Sequence, residues 1–143
     1  MISRTLRPAS LVGLAAATAA AFATILRGHW VLFDDPDYVT ANAHVNHGIT
    51  LAGLRWMFRF AHGGNFHPLT TLLHMANVQL FGLVPGPHHA VSLVFHVANA
   101  ALLALALNAL TRAWWRSVLV AALFALHPLR AESVAWASEL KDV

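Results

Sequence analysis

The chain has no cysteine and little charge: of its 143 residues, only 10% are Asp, Glu, Lys or Arg. The lack of cysteine excludes disulfides, cysteine-ligated zinc, iron–sulfur clusters and thiol catalysis. The lack of charge excludes an ordinary soluble domain, which carries roughly 25% charged residues and needs polar groups to cover its surface. Disorder is excluded from the other side, since it requires low hydrophobicity and high charge. Here 58% of the residues are hydrophobic and the mean hydropathy is +0.60. The net charge of +3 could suggest nucleic acid, but the nine basic residues are scattered singly among apolar runs and form no phosphate-tracking stripe. Nucleic acid is therefore not an expected partner. A single lysine stands against eight arginines, a compositional hint of a GC-rich bacterial genome. No internal repeat occurs, and no low-complexity tract beyond the alanine-rich start. What remains is an all-α membrane protein.

Three segments are apolar enough to enter lipid, at about 9–26, 88–110 and 117–129. A spanning helix takes about 20 residues, so the third qualifies only if its helix continues past Pro128. Arg4 and Arg7 ahead of a small, apolar run would also suit a cleaved signal peptide. Both readings place the chain after Leu26 outside the cytoplasm. The link 111–116, with Arg112 and Arg116, then lies inside. The inside segments hold arginines and no acid, as the positive-inside rule expects. All six acids fall outside: Asp34, Asp35, Asp37, Glu132, Glu139 and Asp142. Trp114 and Trp115 are expected at the cytoplasmic boundary. The predicted architecture is multi-pass, with the outer loop at about 27–87 on the periplasmic face of a bacterial inner membrane.

That loop is more than a linker. Residues 50–61 have a broad apolar face, with Arg55 and Arg59 four apart on the other side, as in an interfacial helix. Gly63 and Gly64 are expected to break it. Pro68 suits the first turn of a second helix running to about Phe81.

Chemistry-bearing residues gather at the outer face. Asp34, Asp35 and Asp37 lie a few residues after the first span; adjacent carboxylates repel, so one becomes a better proton acceptor unless a cation intervenes. Asp-Asp-Pro-Asp is equally a turn. Ten histidines are present; His67 and His74 are seven apart, as are His89 and His96. Such pairs on facing helices could hold haem or a metal ion, or could simply form a polar lining. His96 lies inside a span, where a polar group usually faces a cavity or a partner. The last motif is His127-Pro128-Leu129-Arg130-Ala131-Glu132, followed by Glu139, Lys141 and Asp142. Read as one helix over 131–142, it puts Glu132, Glu139 and Asp142 on one face, with Arg130 and Lys141 able to clamp a phosphate.

In order along the chain come Phe33-Asp34-Asp35-Pro36-Asp37-Tyr38-Val39, Gly64-Asn65-Phe66-His67-Pro68-Leu69-Thr70, His74-Met75, Gln79-Leu80-Phe81-Gly82 and His88-His89. His96, Ala121 to Pro128, Glu132-Ser133-Val134-Ala135-Trp136 and Lys141-Asp142-Val143 continue the series. This ordered set resembles the N-terminal region of the transmembrane and tetratricopeptide-repeat O-mannosyltransferases and their bacterial homologues. The resemblance implies part of a GT-C membrane glycosyltransferase fold, with tetratricopeptide repeats only beyond residue 143. It implies transfer of a sugar, mannose in the animal proteins, from a polyprenyl-phosphate donor to a protein hydroxyl. Asp34 and Asp35 match the acidic pair of the first loop, Asp34 as base toward the acceptor and Asp35 orienting acceptor or donor. His67, His127 and Glu132 match positions around the lipid-phosphate and acceptor cleft, and Lys141-Asp142 the end of the later motif.

Phe66 stands where that family usually has Trp, Arg130 where His is common, and Leu140 where Arg is common. Expected partners are the lipid-linked sugar, an acceptor protein and membrane lipid. Arg55, Arg59, His67, Arg130 and Lys141 are candidates for stabilising the departing phosphate. A divalent metal is left open. With three spans the chain alone is expected to be inactive. The alternative is a non-enzymatic, histidine-rich membrane module that binds haem or a metal ion.

Overall fold

The structure, a computed structural model, describes residues 6–59 and 66–143. Arg4, Gly63, Gly64 and the end of the helix expected over 50–61 lie outside the described residues. Among the described residues every regular element is helical: α1 (Leu6–Phe22), α2 (Leu51–Met57), α3 (Pro68–Phe81), α4 (Pro85–Thr111), α5 (Trp114–Ala125) and α6 (Arg130–Ala135). Tight 3-10 turns follow α1 at Ala23–Arg27 and close the chain at Ser138–Lys141; a wide π-type turn covers Pro36–Thr40. Two stretches, Arg7–Arg27 and Pro85–Thr111, are long and apolar enough to cross a membrane.

Local chemistry accounts for the element ends. Thr50 caps α2, its Oγ1 accepting the Gly53 amide at 3.0 Å, a contact worth about 1 kcal/mol. Pro68 and Pro85 occupy the first turns of α3 and α4, where a missing N–H costs nothing. Gly82 ends α3 at φ 63°, a region glycine enters freely. Arg112 ends α4 in the left-handed region, at φ 58°, and its amide bonds Asn108 O at 2.9 Å.

α1, α4 and α5 form an up-down-up bundle. Ser10 meets Trp114 at one end, Phe22 meets His96 farther along, and Leu26 meets Gly86 at the other. Between them, Ala100 and Ala104 of α4 face Ala121 and Ala125 of α5, with Leu14 of α1 against both. Alanines four apart on each helix let the backbones approach closely, the packing that serves helices in lipid. Phe22, Leu93 and Val134 tie α6 onto α1 and α4. A second core of Val39, Val45, Met57, Met75 and Val78 holds the first loop, α2 and α3 together.

Two expectations need correction. The segment expected to span at 117–129 is α5 of 12 residues, Trp114–Ala125, about 18 Å at 1.5 Å per residue. It stops before Pro128, whose ring disfavours helix in the residue ahead of it. The continuous helix expected over 131–142 breaks at Trp136, where the backbone is extended (ψ 128°). Glu132 and Glu139 therefore do not share a helix face. Trp114 is buried, its Nε1 donating to Ser10 Oγ at 3.0 Å with the Arg7 guanidinium 5.5 Å over its ring. Only Trp115 is exposed.

The bundle is polarised. Arg7, Arg112 and Arg116 cluster where α1 starts and α4 turns into α5, whereas all six acids lie toward the opposite end.

Candidate functional site

At that opposite end the two neighbouring acids of the first loop have different surroundings. Asp35 is fully buried. Its Oδ2 accepts the Val31 amide at 2.8 Å and its Oδ1 the Ser138 amide at 2.9 Å. One carboxylate thus closes its own loop and fastens the C-terminal segment to it. Hydrogen bonds to an ionised acceptor are worth about 1.5–3 kcal/mol, which offsets the burial of the charge. Asp34 is half-buried, and its carboxylate has no hydrogen-bond partner among the described residues. Asp37 is exposed.

Histidines pack around this bracket. His88 Nε2 donates to Gly82 O at 2.9 Å, and the Trp30 ring meets its imidazole edge-on at 4.9 Å. His74 and Asn77 are buried on α3; both ring nitrogens of His74 and the Asn77 amide nitrogen lack hydrogen bonds. Burial, together with the nearby charges of His88 and Lys141, lowers the His74 pKa from 6.5 to about 3, so it is neutral at physiological pH. Both ring nitrogens of His89 are also buried without a partner. His96 Nε2 donates to Ala125 O at 2.9 Å. That bond satisfies the last carbonyl of α5 and explains the polar residue in an apolar helix.

The C-terminal segment carries the other charges. Lys141 Nζ reaches Glu139 at 2.8 Å and Asp142 at 3.1 Å. Burial tends to lower the Lys141 pKa, but the hydrogen bonds and charges of Glu139 and Asp142 outweigh it and raise it. Glu139 is raised first by its hydrogen bond with Asp142 and then by burial, against the pull of Lys141. Asp142 is lowered by the same hydrogen bond, despite burial, and by Lys141 and His67. His67, exposed just before α3, thereby faces Asp142.

The structure brings Asp35, His67, Lys141 and Asp142 to one end of the bundle, from three separate segments. Arg130 and His127 gather elsewhere, in a cleft of about 510 Å3 with Val120, Leu123, Phe124 and Leu129. There the guanidinium lies 4.5 Å from the Phe124 ring, and His127 Nδ1 accepts the Leu129 amide at 3.2 Å. Glu132 is exposed on α6; Arg55 and Arg59 are exposed on and just after α2. Among the described residues no three His, Asp or Glu side chains converge to hold a metal ion.

Sequence reasoning missed the amides of Val31 and Ser138, because a backbone group leaves no mark in residue identity. It also missed Trp30, whose ring packs on His88; its position directly after the first apolar run was the available signal. The chain matches no family model, no curated protein and no solved structure.

Proposed function

We propose that these helices belong to a membrane glycosyltransferase that moves a sugar from a polyprenyl-phosphate donor to a protein hydroxyl, with the acidic end outside. The membrane setting is supported by the side chains on the outside of the bundle. Val94, Phe95, Leu102, Leu105, Leu110, Leu119 and Leu123 are exposed, while alanines fill the interior. A water-soluble bundle would reverse that order. Arg7, Arg112 and Arg116 at an end without acids fit the positive-inside rule, with Arg27, Arg55, Arg59 and Arg130 on the acidic side.

The observation that carries the reading is the division of labour between Asp34 and Asp35. Asp35 spends both oxygens on backbone amides, which leaves Asp34 as the free carboxylate beside it. In transfer, Asp34 takes the acceptor hydroxyl proton as that oxygen attacks the anomeric carbon. The bond from that carbon to the lipid phosphate breaks, its electron pair leaving on phosphate, and configuration inverts. Cations stabilise the departing phosphate. His67, brought to the same end of the bundle as Asp35, is the candidate for this, whereas Arg130 and His127 line a separate cleft. Lys141 is already held by two carboxylates. An apolar groove of about 650 Å3 along Leu26, Phe81, Val91, Val94 and Phe95 accommodates a lipid tail.

The test uses the complete gene product in liposomes with a polyprenyl-phosphate sugar and acceptor protein. Asp34→Asn should lower transfer by at least about 100-fold, the usual scale for a general base. Wild-type transfer by this variant would overturn the assignment.

A further inference from the structure

A small pocket of about 220 Å3 opens between the Ala23–Arg27 turn, the start of α4 and the end of α6. Thr24, Ile25, Gly28, His29, Val31, His89, Ala135 and Trp136 line it. We propose that this pocket binds a single neutral sugar ring, with Trp136 as its apolar wall and His89 as its principal hydrogen-bonding group.

His89 points to a ligand. Its ring is 1% exposed, yet neither nitrogen has a hydrogen-bond partner. A buried polar group left unpaired costs about 1–3 kcal/mol, and such groups call for a specific explanation. The wall opposite supplies no side chain: a methyl built on Gly28 would lie 3.6 Å from His89 Nε2. Gly28 has φ −68° and ψ 164°, a conformation open to any residue, but a Cβ there would also lie 2.9 Å from Ile25 O, so the close approach of that carbonyl accounts for the glycine. The His89 imidazole packs beside this turn and lines the pocket.

The lining defines the occupant. No Asp, Glu, Lys or Arg faces the pocket, so the ligand is neutral. Two imidazoles and one hydroxyl offer several hydrogen bonds, while the indole and the aliphatic residues offer apolar surface. Hydroxyls around the edge and an apolar face are the chemistry of a pyranose. The volume, below the roughly 300–1,000 Å3 of drug-sized sites, matches a single ring. The choice of a sugar also rests on the transferase reading. The pocket itself rests on His89 and the lining around it.

Asp35 builds this site without entering it. Val31, which lines the pocket, is held by Oδ2, and Ser138, two residues after Trp136, is held by Oδ1. Asp35 is a positioning residue that fixes two walls of the pocket at once.

The test is saturation-transfer NMR on the full-length protein in detergent, with methyl mannoside, glucoside and galactoside as probes and neither lipid donor nor acceptor present. Transfer to the ring protons of at least one glycoside is expected. Trp136→Ala, which removes the apolar wall, should weaken that signal by at least tenfold, and His89→Phe should abolish it. Circular dichroism melts verify that each variant folds; if Trp136→Ala fails to fold, His89→Phe decides alone. No signal from any glycoside, or an undiminished signal in the folded variants, overturns the proposal. Because binding is read without turnover, sugar binding alongside full transfer by Asp34→Asn would sink the transferase reading and leave the pocket standing. Asp34-dependent transfer with no glycoside binding would do the reverse.

Discussion

The carboxylate of Asp35 accepts the backbone amide of Ser138 at 2.9 Å, across 103 residues of sequence. Its second oxygen holds Val31, so this one buried side chain joins the first loop to the C-terminal segment. Asp35→Asn replaces an acceptor oxygen with a donor NH2 facing an amide. It should destabilise the fold by about 2–4 kcal/mol, from the loss of one or two charge-assisted bonds. Asp34→Asn, by contrast, should change stability by less than about 0.5 kcal/mol, as for a substitution outside such networks. Thermal melts of the two variants in detergent check the pair. Equal losses would contradict the bracket.

His74 should make stability sensitive to acid. Its folded pKa lies near 3, below the ordinary 6.5, because of burial and the charges of His88 and Lys141. A lowered histidine favours the folded state when neutral, so its contribution is complete above pH 6.5. It is lost progressively as pH falls from 6.5 toward 3. His74→Leu removes the titrating ring and two unpaired nitrogens. The variant should match or exceed wild-type stability at pH 7 and lose part of the slope between pH 6.5 and 3. Denaturation curves across that range decide, and an unchanged slope would refute the assignment.

The alanine seam between α4 and α5 has no room for larger side chains. Ala104→Leu or Ala121→Leu should cost about 1–3 kcal/mol through overpacking, since both alanines are fully buried. Leu105→Ala and Leu119→Ala, on the exposed face, should cost far less. Unfolding in mixed micelles measures all four, and a reversed order would argue against the bundle register.

His96 should matter for structure through a single hydrogen bond. Its Nε2 satisfies Ala125 O inside the bundle, and His96→Leu leaves that carbonyl unpaired. The expected loss is about 1–3 kcal/mol, with partial rescue by His96→Gln, whose amide can donate to the same oxygen. Hydrogen exchange at the end of α5 should accelerate in the leucine variant.

Several features were legible in the sequence. The helix from Pro68 to Phe81 matches its expected bounds because Pro68 and Gly82 punctuate it locally. The two long apolar helices were visible in hydropathy alone. The end of α5 was less legible: apolar composition continues to Leu129, but the helix stops at Ala125, four residues earlier. Hydropathy does not register that Pro128 constrains the residues before it, or that His96 is placed to receive the freed carbonyl. The acidic run after Trp136 misled in the same way. A helical spacing of Glu132, Glu139 and Asp142 has no meaning once the backbone extends at Trp136.

The sequence by itself determined that the chain is helical, where its long apolar stretches lie, and that the link between the second and third apolar segments carries arginines and no acid. Those are properties of composition and near-neighbour spacing, which act over one or two turns. Tertiary structure decided that Asp35 is bound on both oxygens while Asp34 is free, and that His96 closes a neighbouring helix. It also decided that His89 is left without a partner. The reason is that each outcome depends on which backbone amide, carbonyl or missing side chain arrives from a distant segment, and backbone groups are the same in every residue.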